Sequence, residues 1–126
     1  MAGKVVIVGM GGIGGVIAAS LRLAGRDVTG VSGNAMITAA IRERGLCALL
    51  GGREVTTHFD VVDALDRSGP RFDTALLAVP PSSAESAARL VMPHLLPGAP
   101  LVCFQNGLIE ERLQATLPEV HVVGGV

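Results

Sequence analysis

Tryptophan and tyrosine are absent and phenylalanine occurs only three times in 126 residues, so the interior has to be built from Val, Leu, Ile and Ala. Aliphatic interiors of this kind suit parallel sheets covered by helices on both faces. An excess of one charge is also lacking: 10 basic and 11 acidic residues, spread along the chain, leave a net charge of −1. That balance offers no electrostatic footprint for nucleic acid or for an anionic membrane, and neither is expected as a partner. Cysteine is scarce. Cys47 and Cys103 stand far apart, without a CxxC pair or a neighbouring His cluster, so no metal site is expected and no redox dithiol. They read as two buried thiols in a reducing compartment. His58, His94 and His121 are scattered, and none makes a convincing acid or base. Long hydrophobic runs are missing too, since the apolar stretch at residues 5–8 is far shorter than a signal-peptide core or a membrane span. A soluble, cytoplasmic protein with one core is expected, of a size that folds without disulfides or metals.

What the chain has in quantity is glycine, 17 residues that punctuate a regular alternation of strands and helices. The first unit reads strand (residues 4–8), glycine turn (9–14), helix (15–24) and, after Gly25, a second strand (27–31). Small residues at Gly14, Ala18 and Ala19 let the helix lie close to a sheet. Ser32, Gly33 and Asn34 mark a turn, and residues 35–44 read as a helix ended by Gly45. Residues 46–50 and 54–57, separated by Gly51, Gly52 and Arg53, look like a β-hairpin. Residues 60–71 are polar and turn-rich, with a short helix expected at 61–65. Alternation then resumes with a strand at 74–79, a helix at 83–92, a strand at 101–104, a helix at 108–117 and a strand at 120–123. The prolines fall between these elements, where a missing amide donor matters least. Ser82 and Glu85 fit a capping box.

Gly9-Met10-Gly11-Gly12-Ile13-Gly14 matches G-x-G-x-x-G between a hydrophobic strand and a helix, the context that the dinucleotide-binding motif requires. The first glycine makes the tight turn, the second lets a pyrophosphate approach the backbone, and the third permits close helix–sheet packing. The helix N-terminus adds amide donors and partial positive charge. Together with the βα alternation, this predicts an α/β Rossmann-type fold: a doubly wound, mainly parallel sheet with helices on both faces. The whole chain, 1–126, reads as this one domain. It stops just after a strand without a polar tail, so it is read as truncated, with a substrate domain absent.

An acid at the end of the second strand would bind the ribose hydroxyls of NAD, but Ser32, Gly33 and Asn34 stand there instead. Without that charge to repel a 2′-phosphate, NADP is favoured over NAD, although no arginine is placed to grip the phosphate. Arg42 and Arg44, further along the next helix, read as solvated surface charges. In a doubly wound sheet, ligands sit beyond the carboxyl ends of the strands, so Val79-Pro80 and Gln105-Asn106-Gly107 should face the same crevice as the glycine turn. The expected cofactor-binding set is therefore Gly9, Met10, Gly11, Gly12, Ile13, Gly14, Ser32, Asn34, Val79, Pro80 and Asn106. Asn106 can hydrogen-bond a cofactor or substrate, or it can cap the following helix, and both roles can coexist.

The opening KVVIVGMGGIGG, the strand DTALLAVP and above all CFQNGLIEERLQATLPEVHVVGGV resemble the N-terminal domain of the ketopantoate reductase (2-dehydropantoate 2-reductase) family. The resemblance covers residues 4–126. It implies NADPH-dependent reduction of a 2-keto acid to a 2-hydroxy acid, as in pantothenate biosynthesis, with a helical C-terminal domain supplying substrate contacts and the proton donor. It also implies that Asn106 is the family's asparagine that contacts cofactor and substrate, and so the one catalytic candidate. A homodimer is left open. One departure stands out: where the family has a lysine after the fourth core strand, in a V-K-A setting, this chain has Pro80 in AVPPSS. The AVP ending is shared with dehydrogenases of the prephenate and β-hydroxyacid type.

Hydride delivery to a ketone leaves an alkoxide that needs a positioned acid. The only lysine, Lys4, is at the wrong end of the first strand, so the chain alone is expected to bind nucleotide without turning over substrate. Two other classes fit less of the sequence. A regulatory nucleotide-sensing module usually carries the acid that Ser32 replaces and lacks QNG, and a protein-binding scaffold has no use for an intact glycine turn.

Overall fold

The computed structural model describes residues 3–104 and 109–124, apart from the side chains of residues 109 and 110. At its centre is β1 (Lys4–Val8), of which all but the first residue is buried. Side chains alternate across a strand, so Val5 and Ile7 enter one apolar cluster while Val6 and Val8 enter another on the opposite face. Burial on both faces explains the unbroken apolar run.

Beyond β1 the order is α1 (Gly12–Leu23), β2 (Asp27–Val31), α2 (Ala35–Arg44), β3 (Leu46–Leu50), β4 (Arg53–Thr57), β5 (Asp60–Val62), β6 (Thr74–Leu77), α3 (Ala84–Val91), β7 (Pro100–Cys103), α4 (Ile109–Thr116) and β8 (His121–Gly124). Six strands make one sheet in the order β5-β2-β1-β6-β7-β8, every neighbouring pair parallel. The chain starts in the middle, winds out to one edge, returns and winds to the other, which is the Rossmann-type doubly wound order. Ala18 of α1 and Ile41 of α2 pack with Val5, Ile7 and Val28 on one face. On the other face, Ala84, Ala87, Ala88 and Val91 of α3 and Leu113 of α4 pack with Val6, Leu77 and Leu101. The fold class read from the sequence is the one observed.

The hairpin β3–β4 stays outside this sheet. Its turn, Gly51 and Gly52, has φ of 59° and 79°, the doubly positive geometry of a tight two-residue hairpin, and Arg53 belongs to β4, opposite Leu50, where the sequence suggests a loop residue. The hairpin packs against the flank of α1. Leu46 packs there against Gly15, and the Arg22 guanidinium on α1 donates to the carbonyl of His58 at 3.1 Å. Alternation turns Cys47 and Leu49 outward, so Cys47 is exposed, not buried as its residue type suggests, while Cys103 is buried. The Cys47 thiol donates to a Glu54 carboxylate oxygen at 3.0 Å.

The largest correction concerns residues 61–65, which form no helix. Asp60–Val62 is the edge strand, paired to β2 through Thr29↔Asp60, Gly30↔Val61 and Val31↔Val62. A five-residue window is too short to display a helical period, and two adjacent β-branched valines favour the extended backbone. Arg42 is corrected with it: its Nε donates to the Val61 carbonyl at 2.8 Å, so the side chain holds the sheet edge instead of waving in solvent. The return from β5 to β6 is irregular. It is pinned where Phe72 donates to the His94 carbonyl and accepts from the Leu96 amide, both at 2.8 Å.

Other boundaries shift by physical cause. The first helix begins at Gly12, three residues earlier than the glycine pattern suggests, so half of the motif is helical. The central strand β6 ends at Leu77 because the chain turns away before Pro80 and Pro81. The capping box does not form: Pro81 opens a 3₁₀ turn, Pro81–Ser83, that absorbs Ser82, Ser83 makes no side-chain cap, and Glu85 pairs instead with Arg89 at 3.5 Å.

Candidate functional site

At the carboxyl edge of the sheet, Gly9 is wedged between the ends of two strands. Its amide donates to the Val31 carbonyl of β2 at 2.9 Å, and the neighbouring Ala78 amide donates to Val8 at 2.8 Å. Gly9 has φ +100°, and a Cβ there would overlap the Ala78 carbonyl oxygen and stand 3.1 Å from Val79 Cγ1. A side chain at this position would therefore be strained and blocked at once. Gly14 is equally tight: its Cβ would overlap the carbonyl of Gly9 and lie 3.1 Å from the Ala78 side chain. Between these two packed glycines, Gly11 and Gly12 are exposed, with nothing within 4 Å of where a Cβ would sit.

That contrast shapes the site. The first α1 hydrogen bond from this turn runs from the Gly15 amide to the Gly11 carbonyl at 2.8 Å, which leaves the amides of Gly12, Ile13 and Gly14 without acceptors among the described residues. No side chain caps them, and no acidic residue stands in the first turn. Orphan donors at the positive end of a helix, opening on a surface kept clear by two glycines, can receive an anion such as a phosphate group.

The other expected residues divide. Ser32 and Val79 flank Gly9 at the ends of β2 and β6, and Pro80 is exposed beside them. Ile13 is 66% exposed over the open turn. Met10, in contrast, is buried with its thioether over Gly30 of β2, so only its backbone can face a ligand. Asn34 is engaged as the N-cap of α2, its Oδ1 accepting from Met36 and Ile37 amides at 3.0 and 3.2 Å. Ser32 Oγ accepts from the Asn34 amide at 3.2 Å, which locks the whole Ser32–Asn34 turn. Asn106 lies outside the described residues. Lys4 is at the opposite edge, paired with Asp27 at 2.6 Å.

One residue at this edge is missing from the expected set. Asp63 directly follows β5, beside the end of β2, where the Ser32 amide donates to the Val62 carbonyl at 3.0 Å. It is exposed and makes no hydrogen bond or ion pair among the described residues. The helical reading of 61–65 concealed it; the valine pair at 61–62, read as a strand, would have placed it. Among the described residues no three His, Cys, Asp or Glu groups approach closely enough to hold a metal, and no helix is long and apolar enough to cross a membrane.

A family model described as ketopantoate reductase PanE/ApbA matches residues 5–126. The chain belongs to the ketopantoate reductase family. No curated protein matches it. Among solved structures, the PanE/ApbA family ketopantoate reductase of Ralstonia eutropha is 25% identical and superposes with a TM-score of 0.86 over 98% of this chain and 41% of its own. A 2-dehydropantoate 2-reductase of Geobacter metallireducens is 26% identical, with a TM-score of 0.80 over 98% of this chain and 40% of its own. A D-mandelate dehydrogenase solved with NADH and anilino(oxo)acetate is 22% identical, with a TM-score of 0.82 over 97% of this chain and 40% of its own, and shares the fold. This ketopantoate reductase family chain thus spans about 40% of the length of the structures it matches.

Proposed function

We propose that residues 1–126 are the nucleotide-binding domain of an NADP-dependent reductase that converts a 2-keto acid, such as ketopantoate, to the 2-hydroxy acid. The observation that carries this reading is the set of unpartnered amides of Gly12, Ile13 and Gly14 above the cleared surface at Gly11 and Gly12. Reduced nicotinamide supplies the hydride in such chemistry; the chain supplies grip and orientation. The α1 amides hold the pyrophosphate. Ser32 and Asn34 border the adenosine end, Val79 and Pro80 the nicotinamide end, and Asn106 is assigned to bridge cofactor and substrate. NADP is preferred to NAD because the Ser32–Asn34 turn, at the end of β2, carries no carboxylate to bind the ribose hydroxyls; Asp63 lies one strand further out, after β5.

The described acid on this edge, Asp63, lies over the end of β5, away from the Val79–Pro80 end where an alkoxide would form, and the proton donor is assigned to a domain outside these 126 residues. Pro80 stands where the family commonly has lysine, so either the substrate differs from ketopantoate or another group supplies the contact. A fluorescence titration with NADPH and NADH tests the reading: NADPH should bind, and more tightly than NADH, while the isolated chain should give no ketopantoate turnover. Failure of both dinucleotides to bind would sink the assignment.

A further inference from the structure

The carboxyl edge of the sheet presents β1, β2 and β5 side by side, each step about 4.8 Å. A dinucleotide laid along that edge follows the same sequence. Its pyrophosphate sits at α1 beside β1, its ribose at the end of β2, and its base continues outward over the end of β5. Strand β5 runs in register with β2 up to Val31↔Val62, so Asp63 is the first residue beyond the sheet at the place the base reaches.

We propose that Asp63 is the adenine-recognising residue of this site, its carboxylate accepting a hydrogen bond from the exocyclic amine of the base. This rests on the dinucleotide reading above and adds a selectivity that reading does not contain. Asp63 has no competing partner, whereas Asp66, three residues on, is tied to the Ser68 amide and hydroxyl at 3.0 and 2.8 Å, and Asp60 stands at the other end of β5. An ionised carboxylate accepts and cannot donate, so it discriminates between an amino group, which offers it a proton, and a keto oxygen, which offers only lone pairs. The turn beside it cannot make this distinction: the Asn34 oxygen is committed to the α2 amides and the Ser32 hydroxyl to Asn34.

The test compares NADPH with its hypoxanthine counterpart, in which a keto oxygen replaces the amine, both titrated into the 126-residue chain by nicotinamide fluorescence. The wild-type chain should bind NADPH roughly tenfold more tightly, the equivalent of one charge-assisted hydrogen bond. Asp63→Ala should bring the two affinities together by weakening NADPH alone, and Asp63→Asn, whose amide oxygen still accepts, should restore part of the difference. Asp63 is exposed, so neither variant threatens the fold. A wild-type ratio near one, or a ratio unchanged in Asp63→Ala, overturns the inference while leaving dinucleotide binding intact. If neither dinucleotide binds the wild-type chain, the inference and the reading beneath it fall together.

Discussion

The carbonyl oxygen of Gly9 occupies the space that a Cβ on Gly14 would need, so the last glycine of the turn is fixed by the first. The clash would be with backbone, which cannot swing aside as a flexible side chain does. Gly14→Ala should cost about 3 kcal/mol of stability, at the upper end of overpacking penalties, and abolish dinucleotide binding. Gly12→Ala is the counter-test. It adds a methyl group to open space in a helical first turn, so stability should hold or rise by up to about 1 kcal/mol while NADPH binding weakens. Urea unfolding midpoints and fluorescence titrations separate the two.

Asn34, one of the residues the sequence places beside the cofactor, also caps α2 through its side-chain oxygen. Asn34→Ala should lower stability by about 1 kcal/mol, the usual value of an N-cap, and Asn34→Ser or Asn34→Asp should recover most of it. Thermal unfolding followed by circular dichroism reads this directly. A cost near zero would mean that the cap is redundant.

Arg42 closes the outward-facing carbonyl of Val61 on the edge strand. Exposed edges invite pairing with other chains, and a guanidinium laid on one blocks that approach. Arg42→Ala should cost about 1–2 kcal/mol, speed amide exchange selectively in β5 and raise the tendency to aggregate. Arg42→Glu should be worse, since a carboxylate cannot donate to a carbonyl. Hydrogen exchange by mass spectrometry would locate the effect.

On the hairpin, the hydrogen bond from Cys47 to Glu54 raises the thiol pKa above its ordinary value, chiefly because deprotonation breaks that bond and sets two anions together. The neutral thiol is the favoured form, so its contribution to the folded state is present below the unfolded pKa and lost as pH rises through the higher folded one. Alkylation of Cys47 at pH 8 should be slow for so exposed a thiol, and Glu54→Gln should speed it severalfold. Cys103, buried in the core, should react only on unfolding. Equal rates at Cys47 in wild type and Glu54→Gln would contradict the coupling.

How much of this the sequence disclosed depends on how local each cause is. Strand β1 and helix α2 were legible because their signals are contiguous: an unbroken aliphatic run, and an Asn cap followed by a Gly stop. The glycine turn was legible because its spacing carries the geometry. Strand β5 was not, since three residues show no period and become a strand only by lying against β2, 31 residues earlier in the chain. A separation of 19 residues hid the tie between Arg42 and Val61, and the misread strand hid the place of Asp63. The capping box misled because Pro81 forces a 3₁₀ turn ahead of the helix, so that Ser82 and Glu85 stand one residue too early for the N-cap at Ser83. Cys47 misled because thiols are usually buried, and a two-stranded hairpin on the flank of α1 has an outer face.

That hairpin has a kinetic corollary. With the sheet beneath α1 and the hairpin against its flank through Leu46 and Arg22, the helix is held on two faces. On the proposed reading, its amino end does not have to be ordered by a diphosphate, and capture proceeds without the entropic toll or the delay of a loop that must first condense.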